Sequence, residues 1–153
     1  MLCGDGPSIL AVFFDTSSIY EFIELIMSSL ETLFAQASDA LRHQDAERAR
    51  DLCAEARQQA PDDPRFVMLH GFALRRSGDH AAAEPLLRRT LSVDPGLEIG
   101  HHELGLALQG LGRLGEARRA LEQAVNLNPK LVAAWRDLYE VRAAEGDDVG
   151  AAE

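Results

Sequence analysis

Long apolar runs are missing from this chain. The longest, Ile9–Phe14, is six residues, against the ~20 a helix needs to cross a bilayer, so no membrane span is expected. Basic residues are missing from the start. No Lys or Arg precedes Arg42, while Asp5, Asp15, Glu21 and Glu24 are acidic. A secretory leader carries a basic n-region, and none is expected to operate here. Cysteine is scarce: Cys3 and Cys53 have no CxxC spacing and no histidine at metal-ligand spacing. Two free thiols in a reducing, cytoplasmic compartment are the expectation, with Cys53 buried on an apolar helix position.

Chemistry-bearing motifs are absent as well. There is no glycine-rich phosphate loop, GxSxG elbow, HExxH or paired-carboxylate arrangement. His101-His102-Glu103 suggests a metal at first sight, but neighbours on a helix point about 100° apart and do not easily meet one ion. These histidines read as packing or surface residues. His70 reads the same way, as a half-buried packing residue. No cofactor, metal or catalytic residue is expected, and the chain by itself is not expected to be an enzyme. The net charge of −10 disfavours nucleic acid and anionic lipid as partners.

What the chain has is a period. Pro61, Pro95 and Pro129 lie 34 residues apart. Before Pro129 come Leu104-Gly105, Leu108, Gly112, Ala117, Leu121 and Ala124; one period earlier stand His70-Gly71, Leu74, Gly78, Ala83, Leu87 and Thr90. This pattern resembles the tetratricopeptide (TPR) repeat family, in which each repeat is a helix–turn–helix unit that buries its apolar face on the next. The resemblance implies an all-α solenoid of antiparallel helix pairs, about three and a half repeats long, with no β-sheet.

The expected organisation has two parts. Residues 1–29 form an N-terminal extension, helical from about residue 18. Its first 26 residues hold four of the five isoleucines and one alanine, unlike the alanine- and arginine-rich remainder. It reads either as an upstream extension, since Met27-Ser28-Ser29-Leu30-Glu31 would make a natural start with a capping box, or as a genuine N-terminal helix. Residues 30–153 form the array: repeats 30–63, 64–97 and 98–131, then a truncated 132–153. Asp63-Pro64 marks a helix start. Pro85 should kink the second helix of its repeat or delay its beginning. In the last repeat Gly146-Asp147 and Ala151 fit the pattern, while Tyr139 replaces the expected small residue. An array that stops inside a hairpin suggests the N-terminal region of a longer bacterial protein.

In the TPR family the first helix of each repeat lines a concave face. Carried onto this chain, the resemblance implies a partner-binding stripe of Phe34, Ser38 and Arg42, then Arg65, Met68, Phe72, Arg75 and Arg76, then His102, Leu106 and Gln109, then Arg136 and Glu140. Glu31, Leu41 and Ile99 fall on the same stripe. The apolar members would anchor side chains and the arginines would grip carboxylates. Residues 64–97 are the one locally basic stretch, at net +2. The expected partner is therefore a protein or peptide, acidic and partly apolar, or a C-terminal domain of the same longer chain. The Lys and Asn clamp some TPR domains use for a chaperone's C-terminal carboxylate is not matched, because Phe34, Ser38, Met68 and Phe72 occupy those positions. A different role is implied by the alanine- and arginine-rich composition. Similar bacterial TPR segments precede sulfotransferase-like or hydroxylase-like domains, for which this piece would be a scaffolding or substrate-positioning arm.

Overall fold

A computed structural model of the chain describes residues 16–146. Among these residues there are seven α-helices and no strand: α1 (Thr16–Arg42), α2 (Ala46–Gln59), α3 (Pro64–Arg76), α4 (His80–Val93), α5 (Glu98–Gly110), α6 (Leu114–Leu127) and α7 (Val132–Ala144). Each helix packs on the next in sequence, and α1, α3, α5 and α7 also touch in that order. The first helices of the repeats thus form one row and the second helices α2, α4 and α6 form another. Cys3, Asp147 and Ala151 lie outside the described residues.

The prolines set the period by ending helices. Ala60, Asp94 and Asn128, each just before a proline, cap α2, α4 and α6 with φ of −137°, −128° and −136°. A proline ring clashes with an α-helical preceding residue and pushes it toward extended backbone. Inside each repeat the turn is closed by one motif. Asp45 N–H donates to Ala40 O, Asp79 N–H to Leu74 O and Arg113 N–H to Leu108 O, each at 2.9 Å. These are the six-to-one bonds of a Schellman ending, which wants a left-handed residue just before the donor. Gly78 and Gly112 supply it at φ 90° and 74°, but repeat one uses Gln44 at φ 62°. Asp45, Asp63 and Asp79 cap α2, α3 and α4, accepting from Arg48, Arg65 and Ala82 N–H.

The core is made of small-against-large pairs between the two rows. Ala49, Ala83 and Ala117, one per repeat, are all fully buried. A Cβ added to Gly105 would lie 2.6 Å from Leu121 Cγ, and one added to Gly71 would lie 3.2 Å from Leu87 Cγ. In repeat one the matching pair is Ala37 and Cys53, both fully buried. The alanine is larger than glycine and its counterpart is smaller than leucine. Burial pushes the Cys53 thiol up to about 12, so it stays protonated and packs as a hydrophobe.

Two local expectations change. Pro85 does not delay α4, which begins at His80 behind the Asp79 cap and runs through the proline to Val93. Pro85 sits on the exposed side, where its missing N–H removes one helix bond without a buried carbonyl to satisfy. The Ser28 capping box is also not used. α1 passes straight through it, and Thr32 Oγ1 donates to Ser28 O at 2.9 Å within the continuous helix.

Candidate functional site

A groove of about 1050 Å³ is bounded by α1, the α1–α2 turn, the first residue of α2, α3 and one residue of α5. Its floor is apolar: Leu41, Leu69 and Phe72, each below a tenth exposed. Phe34, Ser38 and Gln44 form one wall and Ile99, 44% exposed, the far edge. Arg42, Arg75 and Arg76 also line it, and among the described residues no carboxylate does.

The three arginines are not equivalent. Arg75 Nε donates to Glu103 Oε2 at 2.5 Å, and Arg76 donates from Nη1 to Leu41 O at 3.1 Å and from Nη2 to Glu103 Oε1 at 3.4 Å. Glu103 is itself buried, 3% exposed, so these two cations neutralise a carboxylate inside the stack. Removing them would strand that charge, a loss of about 3–5 kcal/mol for a buried pair. Arg42 is different. Its side chain is 74% exposed and meets only Asp39 of its own helix, at 3.1 Å, a pairing worth little in water. Arg42 is the cation of this groove that an incoming group can reach without unmaking the fold.

The groove gathers Phe34, Ser38, Arg42, Phe72, Arg75 and Arg76 of the predicted stripe, together with Leu41 and Ile99. It does not gather the rest. Arg65 and Met68 line a separate, smaller pocket with Val93 and Leu97. The Arg65 guanidinium pairs with Asp63 at 2.8 Å and Glu31 at 2.7 Å and stacks 5.3 Å from the Phe34 ring centre. It holds the Asp63 carboxyl below its usual range, chiefly by hydrogen bonding. His102 Nε2 donates to Asp137 Oδ2 at 2.6 Å, with both side chains largely buried. Arg136 pairs with Asp137 and Glu140. Leu106 and Gln109 are half-buried on α5. The adjacent His101 turns away and donates to Pro95 O at 2.9 Å, and among the described residues no cluster of His, Cys, Asp or Glu could hold a metal.

Glu103 and Asp137 were missed as structural residues by sequence reasoning. Both occupy the sixth position of their repeats, where repeats one and two carry Ala35 and Leu69. An acid replacing the buried Leu69 of repeat two at the same position is the signal that would have found them.

Among the described residues no helix is long and apolar enough to cross a membrane. Comparison with known proteins places the repeats. Residues 34–97 and 99–131 each match tetratricopeptide repeat family patterns. Human tetratricopeptide repeat protein 7A is 29% identical over 128 residues, covering 82% of this chain and 15% of that protein. A mutant Thermobaculum terrenum O-GlcNAc transferase superposes with a TM-score of 0.69 at 28% identity, over 76% of this chain and 22% of that one. The first TPR of Spaghetti (RPAP3), bound to the HSP90 peptide SRMEEVD, gives 0.69 at 18% identity over 78% and 94%. The chain therefore spans less than a quarter of the first two of these relatives. Seven helices in two rows among the described residues, a 34-residue period closed by proline, and matches covering three successive repeats lead to one conclusion: this chain belongs to the tetratricopeptide repeat family.

Proposed function

We propose that this chain is a protein-interaction module that takes an acidic, partly apolar peptide segment into the groove between α1, α3 and α5. One observation carries the reading: an apolar floor is edged by Arg42, an exposed cation, with no carboxylate among the described residues of the lining. A peptide would place apolar side chains over Leu69 and Phe72 and a carboxylate against Arg42, forming a charge-assisted hydrogen bond. The TPR fold supports this use, and the Spaghetti (RPAP3) neighbour carries a peptide rich in acidic residues. A free, buried Cys53 fits a reducing compartment, and the cytoplasm is the location proposed.

The test uses peptides selected on the full-length chain from a random library. Enrichment for Asp or Glu beside Leu, Phe or Met is expected, with binding that weakens as salt rises. Ile99→Asp and Arg42→Glu alter exposed groove residues and should each weaken binding about tenfold, a 1.4 kcal/mol effect. Selected peptides that bind both variants as well as the parent would rule the groove out. A second reading keeps the module but makes it the arm of a larger enzyme, of sulfotransferase-like or hydroxylase-like type. The observation favouring it is that an O-GlcNAc transferase shares the fold over only 22% of its own chain.

A further inference from the structure

Residues 19–25 of α1 project with none of the other described helices packed on them. Ile19, Tyr20, Phe22, Ile23, Leu25 and Met27 are all exposed, between 37% and 70%, on a helix whose buried contacts begin at Ile26 and Leu30. Ile19, Phe22 and Ile23 stand at i, i+3 and i+4, the spacing by which an amphipathic helix anchors in an apolar groove, and Ile26 continues the stripe onto this chain's own core. The only charges in residues 16–29 are Glu21 and Glu24. This segment is therefore acidic and apolar, the chemistry that the groove's own lining calls for.

We infer that the occupant of the groove is residues 19–27 of a second copy of this chain, so that the protein associates head to tail. The inference rests on the proposed peptide-binding role of the groove and gives it a partner. Complementarity is specific in sign: the segment has two carboxylates and no base, and the groove's described lining has no carboxylate and one exposed arginine, Arg42, that no buried acid has claimed. With the Ile19, Phe22 and Ile23 face on the floor, Glu21 and Glu24 face the open side of the groove, so attraction to exposed Arg42 acts through its field at the rim and is sensitive to salt. A copy cannot fill its own groove. α1 is one unbroken helix from Thr16 to Arg42, and at 1.5 Å per residue Ile23 stands about 22 Å along it from Ser38 on the groove wall. Docking is therefore between copies. Each copy offers one helix and one groove on the same rigid α1, so two copies can exchange helices in a closed dimer or pass them on in open chains or rings.

Sedimentation velocity of the full-length chain over a concentration series reads this out. The parent should associate, to a dimer or beyond, as concentration rises and retreat to monomer as salt rises. Phe22→Glu with Ile23→Glu disables the helix, and Arg42→Glu with Ile99→Glu disables the groove. All four positions are exposed or lie at the rim, and far-ultraviolet circular dichroism checks that the variants fold. Each variant alone should lose self-association roughly tenfold or more. An equimolar mixture should form a one-to-one complex that grows no further, since each supplies the half the other lacks. A groove variant that still associates would mean that α1 pairs with α1, and would overturn the inference. So would a parent chain that stays monomeric at every concentration. If that monomer still binds a selected acidic–apolar peptide, the groove reading survives and only the second copy is wrong; if it binds neither, both fail.

Discussion

The glycine at position eight and the leucine at position 24 of repeat three form a pair whose fit can be tested by exchanging it for the pair in repeat one. A Cβ on Gly105 would stand 2.6 Å from Leu121 Cγ, 2.9 Å from Leu121 Cδ2 and 3.3 Å from Ala117 O. Cγ is not the mobile end of the side chain, and Leu121 is fully buried, so little can give. Gly105→Ala gains about 1 kcal/mol of helix propensity and loses about 1–3 kcal/mol to overpacking. The net is destabilisation of up to about 2 kcal/mol. Gly71→Ala meets Leu87 at 3.2 Å, where a shift of a few tenths of an ångström suffices, and should be near neutral. Gly105→Leu, which drives a whole side chain into Leu121, should be the worst of the three. Leu121→Cys alone leaves a cavity and should cost about 2 kcal/mol or more. The double variant Gly105→Ala, Leu121→Cys recreates the Ala37–Cys53 combination, so its loss should fall short of the sum by about 1 kcal/mol or more. Thermal unfolding followed by circular dichroism measures this, at roughly 3–5 °C per kcal/mol for a chain of this size. Strict additivity, or a Gly105→Ala chain as stable as Gly71→Ala, would show that these two positions do not meet.

Gln44→Gly should stabilise the chain by about 0.5–1 kcal/mol, because a left-handed residue with a Cβ costs about 1–2 kcal/mol and part of that is returned as glycine's extra unfolded freedom; a lowered melting temperature would contradict the turn. His70 is pushed below its usual value of 6.5, first by burial and then by the Arg57 and Arg50 charges, and Arg57 Nη1 donates to its Nδ1 at 3.0 Å. The unfolded chain therefore takes a proton near pH 6.5 that the folded chain refuses, so stability contributed above that pH is lost as pH falls through the depressed value. His70→Leu should flatten the fall in urea midpoint between pH 7.5 and 5, and an unchanged slope would place the histidine in solvent.

The repeat was legible because three physical demands recur at a fixed interval. A proline stops a helix, a left-handed residue turns the chain, and small residues let helix pairs close. Pro61, Pro95 and Pro129 announce the first, and Gly78 and Gly112 the second, so the fold could be read from spacing. Gln44 was not legible, since glutamine carries no turn signal and only the register of the other repeats reveals its role. The stripe was readable as a list of positions but not as a site. Spacing tells which residues share a helix face; it does not tell which partners within the stack have already claimed them. Arg75, Arg76 and His102 look like free binding groups in sequence and are tied to Glu103 and Asp137 in space.

Position six explains why the groove lies at this end of the row. In repeats three and four it holds a buried acid, and that acid draws in hydrogen-bond donors of the preceding repeat: Glu103 takes Arg75 and Arg76, and Asp137 takes His102. The carboxylates are worth burying only because these pairs form, and the polar contacts so made fill the inner row. Repeat two has Leu69 at that position instead. Arg42, the counterpart of Arg76 one repeat earlier, consequently has no buried acid to meet and remains 74% exposed, while Leu69 adds to the apolar floor. A single change of residue class at one repeated position thus leaves both halves of the proposed binding site unfilled, an apolar surface and a cation beside it. The same substitution read in the other direction, an acid at position 69, would capture Arg42 and close the groove.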